Sequence, residues 1–142
     1  MKILLAVDGS KHSLAAVDSL IEHAGWYRGK PEVELVTVHL PVPTVGRMGI
    51  GPSKAQLQKY YDEEGEASLK AARKKLDAAK LPYRASVLVG PVAETLAKHA
   101  RSAGCDLIFI GTRGMTAAAN AILGSTATKV LNISTVPVLL VK

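Results

Sequence analysis

The chain of 142 residues has one cysteine, one tryptophan and one phenylalanine. A lone thiol, Cys105, excludes an internal disulfide and suits a reducing compartment. It precedes an apolar run, which points to a buried, inert thiol rather than a reactive one. Aromatic residues make up only 4% of the chain, too few rings for the stacked platforms of single-stranded nucleic-acid binders. No apolar run approaches the ~20 residues of a membrane span. The first such run, Ile3 to Val7, is too short for the core of a signal peptide, so a cytoplasmic protein without membrane association is expected. No histidine pair has metal-ligand spacing, and no G-x-S-x-G elbow, Walker loop or Cys–His signature occurs.

What is present is an ordinary globular balance, 48% hydrophobic and 21% charged. The length fits one domain over residues 1–142. Eighteen basic against twelve acidic residues give a net charge of +6, which favours anionic partners. The basic residues are dispersed, and the one cluster, Arg73-Lys74-Lys75, falls in an amphipathic segment. It reads as a solvated helix face rather than a nucleic-acid patch.

Five short apolar runs punctuate the chain: Ile3–Val7, Val33–His39, Tyr83–Val89, Asp106–Ile110 and Val136–Val141. Several are continuously apolar, as strands covered on both faces are. Between them lie four helical segments. The first starts near Ser10 or Ser13 and ends before Gly25, with Leu14, Val17, Leu20, Ile21 and Ala24 forming one stripe. The second runs from Ser53 to about Lys80, stopped by Pro82, with Gly65 as a weak point inside it. The third spans Pro91 to Gly104 and the fourth Ser125 to Ser134. This alternation predicts an α/β fold: a single doubly wound open sheet of five mainly parallel strands with helices on both faces. Ligands of such sheets lie outside the carboxyl ends of the strands, where strand order reverses. The residues after the first, second and fourth strands are therefore the place to look.

The segment Ile108-Phe109-Ile110-Gly111-Thr112-Arg113-Gly114 ends a buried strand in a turn with glycines three apart. Nine residues on, Gly124 precedes Ser125 and Thr126 at a helix start. Glycine admits positive φ and lets a ligand approach the backbone. A helix start adds free N–H groups and the positive end of the dipole. These parts make a phosphate cradle, although glycines at such places also serve as plain turn and cap residues.

Gly111-x2-Gly114-x9-Gly124-Ser125 resembles the nucleotide-binding pattern G-x2-G-x9-G-[ST] of the universal stress protein family. The resemblance extends over nearly the whole chain, through Ile3–Ser10, Val89–Leu96, Asp106–Gly114 and Val136–Val141. It implies a Rossmann-like fold of the adenine nucleotide alpha hydrolase type and the ATP-binding branch of the family. It implies ATP with magnesium or manganese as ligand, and assigns nucleotide contacts to Ala6, Val7 and Asp8, with Asp8 beside the ribose and the metal. Val38 falls at the adenine, Gly111, Arg113 and Gly114 at ribose and phosphates, and Gly124, Ser125 and Thr126 at the phosphate turn. The family's homodimers pair their last strands, which implies an interface through Val136, Val138 and Leu140. Two features depart from the pattern: the Ala-rich spacer (Ala117, Ala118, Ala119 and Ala121), and Thr126 where an aliphatic residue is common.

Some groups carry two readings. Asp8 either contacts ribose and metal or caps the following helix. His39 either occupies the sheet end, the favoured reading, or faces the ligand; His12, His23 and His99 read as helix residues. Arg47, the one charge in the long Pro41–Pro52 connection, is a candidate phosphate contact, and that connection is a candidate lid. Lys129 and Arg113 are the cations near the cradle, without a convincing base for phosphoryl transfer. The expected function is a nucleotide-dependent stress or energy-status module. The alternatives are a slow ATPase or autophosphorylating enzyme with Ser125 or Thr126 as acceptor, and an AMP or cyclic AMP binder.

Overall fold

The computed structural model describes residues 1–43, 51–115 and 122–142. Their elements alternate as β1 (Lys2–Ala6), α1 (Lys11–Glu22), β2 (Glu32–His39), α2 (Lys54–Ala78), β3 (Tyr83–Val89), α3 (Val92–Ser102), β4 (Leu107–Gly111), α4 (Ser125–Ile133) and β5 (Val138–Val141). A 3₁₀ turn at Ala24–Trp26, absent from the expectation, follows α1. The sheet order is β3-β2-β1-β4-β5, and every pairing is parallel. The chain steps outward from β1 to β2 and β3, then crosses back to β4 on the other side of β1. Strand order therefore reverses between β1 and β4, and the crevice opens at their carboxyl ends.

Strand alternation sorts the core into two layers. Odd-numbered Ile3, Leu5, Val33 and Leu35 meet α1 and α2 through Val17, Leu20, Leu69 and Leu76. The one phenylalanine, Phe109, joins that layer at 1% exposure. Even-numbered Leu4, Ala6, Val36, Ile108 and Ile110 meet α3 and α4 through Leu96, Ala100, Ala127 and Val130. Fully burying a side chain of this size stabilises by about 1.5–3 kcal/mol, so both layers are needed to hold the sheet between the helices.

Gly65 is not the weak point its residue type suggested. It is buried in α2, and an added Cβ would lie 2.3 Å from Cγ2 and 2.9 Å from Cβ of Val87. The glycine lets α2 lie close on β3. The Arg73–Lys75 cluster is tied down as a solvated face: Arg73 pairs with Glu66 at 2.9 Å and Lys75 with Asp18 at 2.6 Å. On the α3 side Glu34 is buried, with Lys2 Nζ at 2.9 Å, and this hydrogen bond raises the Lys2 pKa. Cys105 is buried as expected, and burial pushes its thiol up. β5 begins at Val138, two residues later than expected. Val136 precedes it in a turn, exchanging hydrogen bonds with the Ser134 hydroxyl.

Candidate nucleotide site

The carboxyl ends of β1, β2 and β4 and the start of α4 enclose a cavity of about 270 Å³. Ala6, Val7, Asp8, Val38, Gly111, Arg113, Gly114, Ser125 and Thr126 all lie on its wall. Residues from four separate stretches of sequence are thus brought together. Gly124 stands directly behind them as the N-cap of α4. Sequence reasoning missed Ser13, Val92, Leu96 and Thr112, which also line the cavity. Val92 and Leu96 were legible as an i,i+4 pair on the apolar stripe of α3; Ser13 and Thr112 gave no such signal.

The end of β1 shapes the floor. Its last register pair is Ala6 with Val36, followed by one bond from the Val7 N–H to the Val36 carbonyl. The backbone groups of even-numbered β2 residues face β1. Val38 therefore extends past the last pair, with its N–H and C=O on the side β1 has vacated. That places backbone donors and acceptors, rather than a charged side chain, at the apolar end of the cavity beside Val36 and Leu96.

Asp8 is not the helix cap. Ser10 holds that place, its Oγ accepting from the Ser13 N–H at 3.2 Å. Asp8 instead ties two segments together: Oδ1 accepts from the Ser10 N–H at 2.9 Å and Oδ2 from the Met115 N–H at 3.1 Å. Burial pushes the Asp8 carboxyl up, but bonds from Ser10, Ser13 and Met115 together outweigh it and hold it below its ordinary value. The carboxylate is thus negative at neutral pH and clamps the glycine loop to β1.

The glycines serve by close approach. None of Gly111, Gly114 and Gly124 is among the glycines with positive φ, so the expected conformational role is corrected. A Cβ on Gly111 would stand 2.6 Å from the His12 carbonyl oxygen, and one on Gly114 2.9 Å from Asp8 Oδ2. The Gly124 N–H donates to the Thr112 carbonyl at 2.6 Å, which staples the start of α4 to the glycine loop. Among the described residues no side chain caps that start, and the first-turn N–H groups of α4 stand beside the cavity, at the positive end of the dipole.

Among the described residues, no three His, Cys, Asp or Glu side chains converge as a metal cage. Asp8 offers a single carboxylate, which fits a magnesium or manganese ion carried mainly by phosphate oxygens and water, not one held by protein alone. Lys129 is engaged by Glu94 in an ion pair linking α4 to α3. His39, as favoured, sits at the sheet end paired in register with Val89, and it lines a different hollow. Arg47, most of the candidate lid and the Ala-rich part of the spacer lie outside the described residues. No described helix is long and apolar enough to cross a membrane.

The universal stress protein YxiE of Bacillus subtilis is 31% identical over 147 residues, spanning 99% of this chain and 98% of its own length. Among solved structures, that of hypothetical protein MJ0577 superposes with a TM-score of 0.82 at 26% identity, covering 99% of this chain and 94% of that one. A universal stress protein in complex with cAMP superposes with a TM-score of 0.69 at 26% identity, covering 100% and 97% of the two chains. The signature of the universal stress protein family matches residues 1–142, and the chain belongs to that family.

Proposed function

We propose that this protein binds ATP, with a divalent cation, in the cavity between β1 and β4 and acts as a nucleotide-dependent regulatory module. The observation that carries the reading is the start of α4: uncapped N–H groups, two hydroxyl residues and close-approach glycines stand beside a half-apolar cavity. In this reading the base lies against Val38, and Asp8 meets the ribose and the metal. Gly111, Arg113 and Gly114 meet ribose and phosphates, and the phosphates end on Gly124, Ser125 and Thr126. The metal would neutralise phosphate charge beside Asp8. Regulation follows from differential affinity: the ligand shifts any equilibrium only as far as it binds one state better.

A monophosphate ligand is the second reading, favoured by the related protein in complex with cAMP. Calorimetric titration of nucleotide-stripped protein with ATP, AMP and cyclic AMP, with and without magnesium, separates the two. The ATP reading expects the tightest binding for ATP, strengthened by magnesium. Tighter binding of a monophosphate would replace ATP as the ligand, and no binding by any of the three would refute the nucleotide reading.

We also propose that two copies pair through β5. Among the described residues it is an edge strand with one side unpaired, and Val138 and Leu140 on it are only partly buried. Nearby Leu131 and Ile133 are exposed. Sedimentation of a Val138→Lys, Leu140→Lys variant should give a monomer where the parent gives a dimer; a parent that sediments as a monomer refutes the pairing.

A further inference from the structure

The cavity wall is short of positive charge for a polyphosphate. Among the described residues Arg113 is the one cation on it, while a nucleoside triphosphate carries several negative charges. α4 carries one further cation, Lys129. It stands four residues after Ser125 and three after Thr126, the spacing that places side chains on one helix face. Ser125 and Thr126 are on the cavity wall, and helix side chains lean toward the N-terminus, so Lys129 leans back toward the turn that holds them.

Lys129 does not itself line the wall. Its ammonium pairs with Oε1 of Glu94, in the first turn of α3. α3 flanks the same cavity through Val92 and Leu96, so the pair ties together the two helices beside the ligand. Both side chains are about half exposed, 56% for Lys129 and 45% for Glu94. An ion pair this exposed adds little stability, so giving it up costs little. A phosphate group offers the ammonium more negative charge than a carboxylate and draws it more strongly at equal distance.

On the basis of the ATP reading, we propose that Lys129 discriminates nucleotides by phosphate number: it stays on Glu94 when the cavity is empty or holds a monophosphate, and transfers to the terminal phosphates of a triphosphate, untying α4 from α3. The exchange makes one ion pair and breaks another, with no covalent step. Separated from α4, α3 is in a state that only the longer ligand favours, which is what a regulatory response to that ligand requires.

The test combines calorimetry with ATP and AMP in magnesium buffer and the carbon-13 carboxylate signal of Glu94 followed against pH. Both side chains are half exposed, so the variants leave the core intact. Without nucleotide, the hydrogen bond from Lys129 holds the Glu94 carboxyl below its ordinary value, so Lys129→Ala should move its titration midpoint up. Saturating ATP should move that midpoint up in the parent as well, and AMP should not. Lys129→Ala should weaken ATP about tenfold and AMP by less than about twofold. Glu94→Gln frees the ammonium and should tighten ATP about threefold, a gain that disappears when Lys129→Ala is added. A Glu94 signal insensitive to ATP, equal losses of ATP and AMP in Lys129→Ala, or an unchanged ATP affinity in Glu94→Gln would each overturn the transfer while the parent still binds ATP. A parent that binds neither nucleotide overturns the ATP reading and the transfer with it.

Discussion

Replacing Gly124 with Asp separates folding from phosphate recognition. Gly124 is the N-cap of α4 with φ −74° and ψ 159°, an extended conformation that aspartate adopts without strain. Aspartate is among the favoured N-caps, a few tenths of a kcal/mol better than glycine, and its charge suits the helix dipole by about 0.3–1 kcal/mol. The new Cβ meets the Thr112 carbonyl oxygen at 3.3 Å, which takes back part of that gain. The net expectation is a stability unchanged or raised by up to about 1 kcal/mol. Binding moves the other way. A carboxylate about 6 Å from a phosphate charge, at an effective dielectric near 20, costs about 2.8 kcal/mol. With salt screening, that becomes a loss of about 30- to 100-fold in ATP affinity. Urea unfolding without nucleotide reads the first quantity and calorimetry the second, with Gly124→Ser as the uncharged control. ATP affinity within about threefold of the parent in Gly124→Asp would refute the placement of phosphate at α4. An equal loss in Gly124→Ser would show that the Cβ, not the charge, is responsible.

Gly65→Ala should destabilise by about 2 kcal/mol in urea unfolding. The helix-propensity gain of about 1 kcal/mol is outweighed by overpacking of up to about 3 kcal/mol against Val87. A double-mutant cycle with Val87→Ala should recover most of the loss, and a neutral Gly65→Ala would contradict the contact. Lys80, just past the Ala79 cap of α2, has φ 54°, a left-handed conformation that costs a non-glycine residue about 1–2 kcal/mol. Lys80→Gly should therefore raise stability by up to about 1 kcal/mol, and a fall would refute the strain. Burial raises the Cys105 thiol above its ordinary value, with smaller contributions from neighbouring charges. Its stabilising contribution is complete below the unfolded thiol range and declines as pH rises through it. Alkylation of native protein at pH 8 should accordingly be much slower than in denaturant; equal rates would show an accessible thiol.

The ends of the elements and the glycine loop were legible because local chemistry sets them. Ser53 and Gln56 make the capping box that starts α2. Ser10 caps α1, and Pro82 follows the end of α2. Continuously apolar runs such as Ile3–Ala6 mark strands covered on both faces. The glycine segment likewise drew attention to Gly111, Arg113, Gly114, Ser125 and Thr126 on the cavity wall, and the family resemblance added Ala6, Val7, Asp8 and Val38. Gly65 was misread because helix propensity knows nothing of Val87, which is distant in sequence. The 3₁₀ turn at Ala24–Trp26 carried no cap or periodic signal to reveal it.

The sequence by itself determined the alternation of strands and helices, the two-sided burial of the sheet, and the phosphate-cradle pattern of glycines and hydroxyls. Each depends on neighbours within a few residues. Only the tertiary structure decided that the strand order reverses at β1 and β4, and that β1 ends early enough to leave the Val38 backbone facing the crevice. It also decided that Asp8 clamps the Met115 amide rather than capping α1, and that His39 faces a hollow of its own. Those outcomes depend on parallel register and helix crossover between segments as far apart in sequence as Asp8 and Met115, which spacing along the chain does not encode.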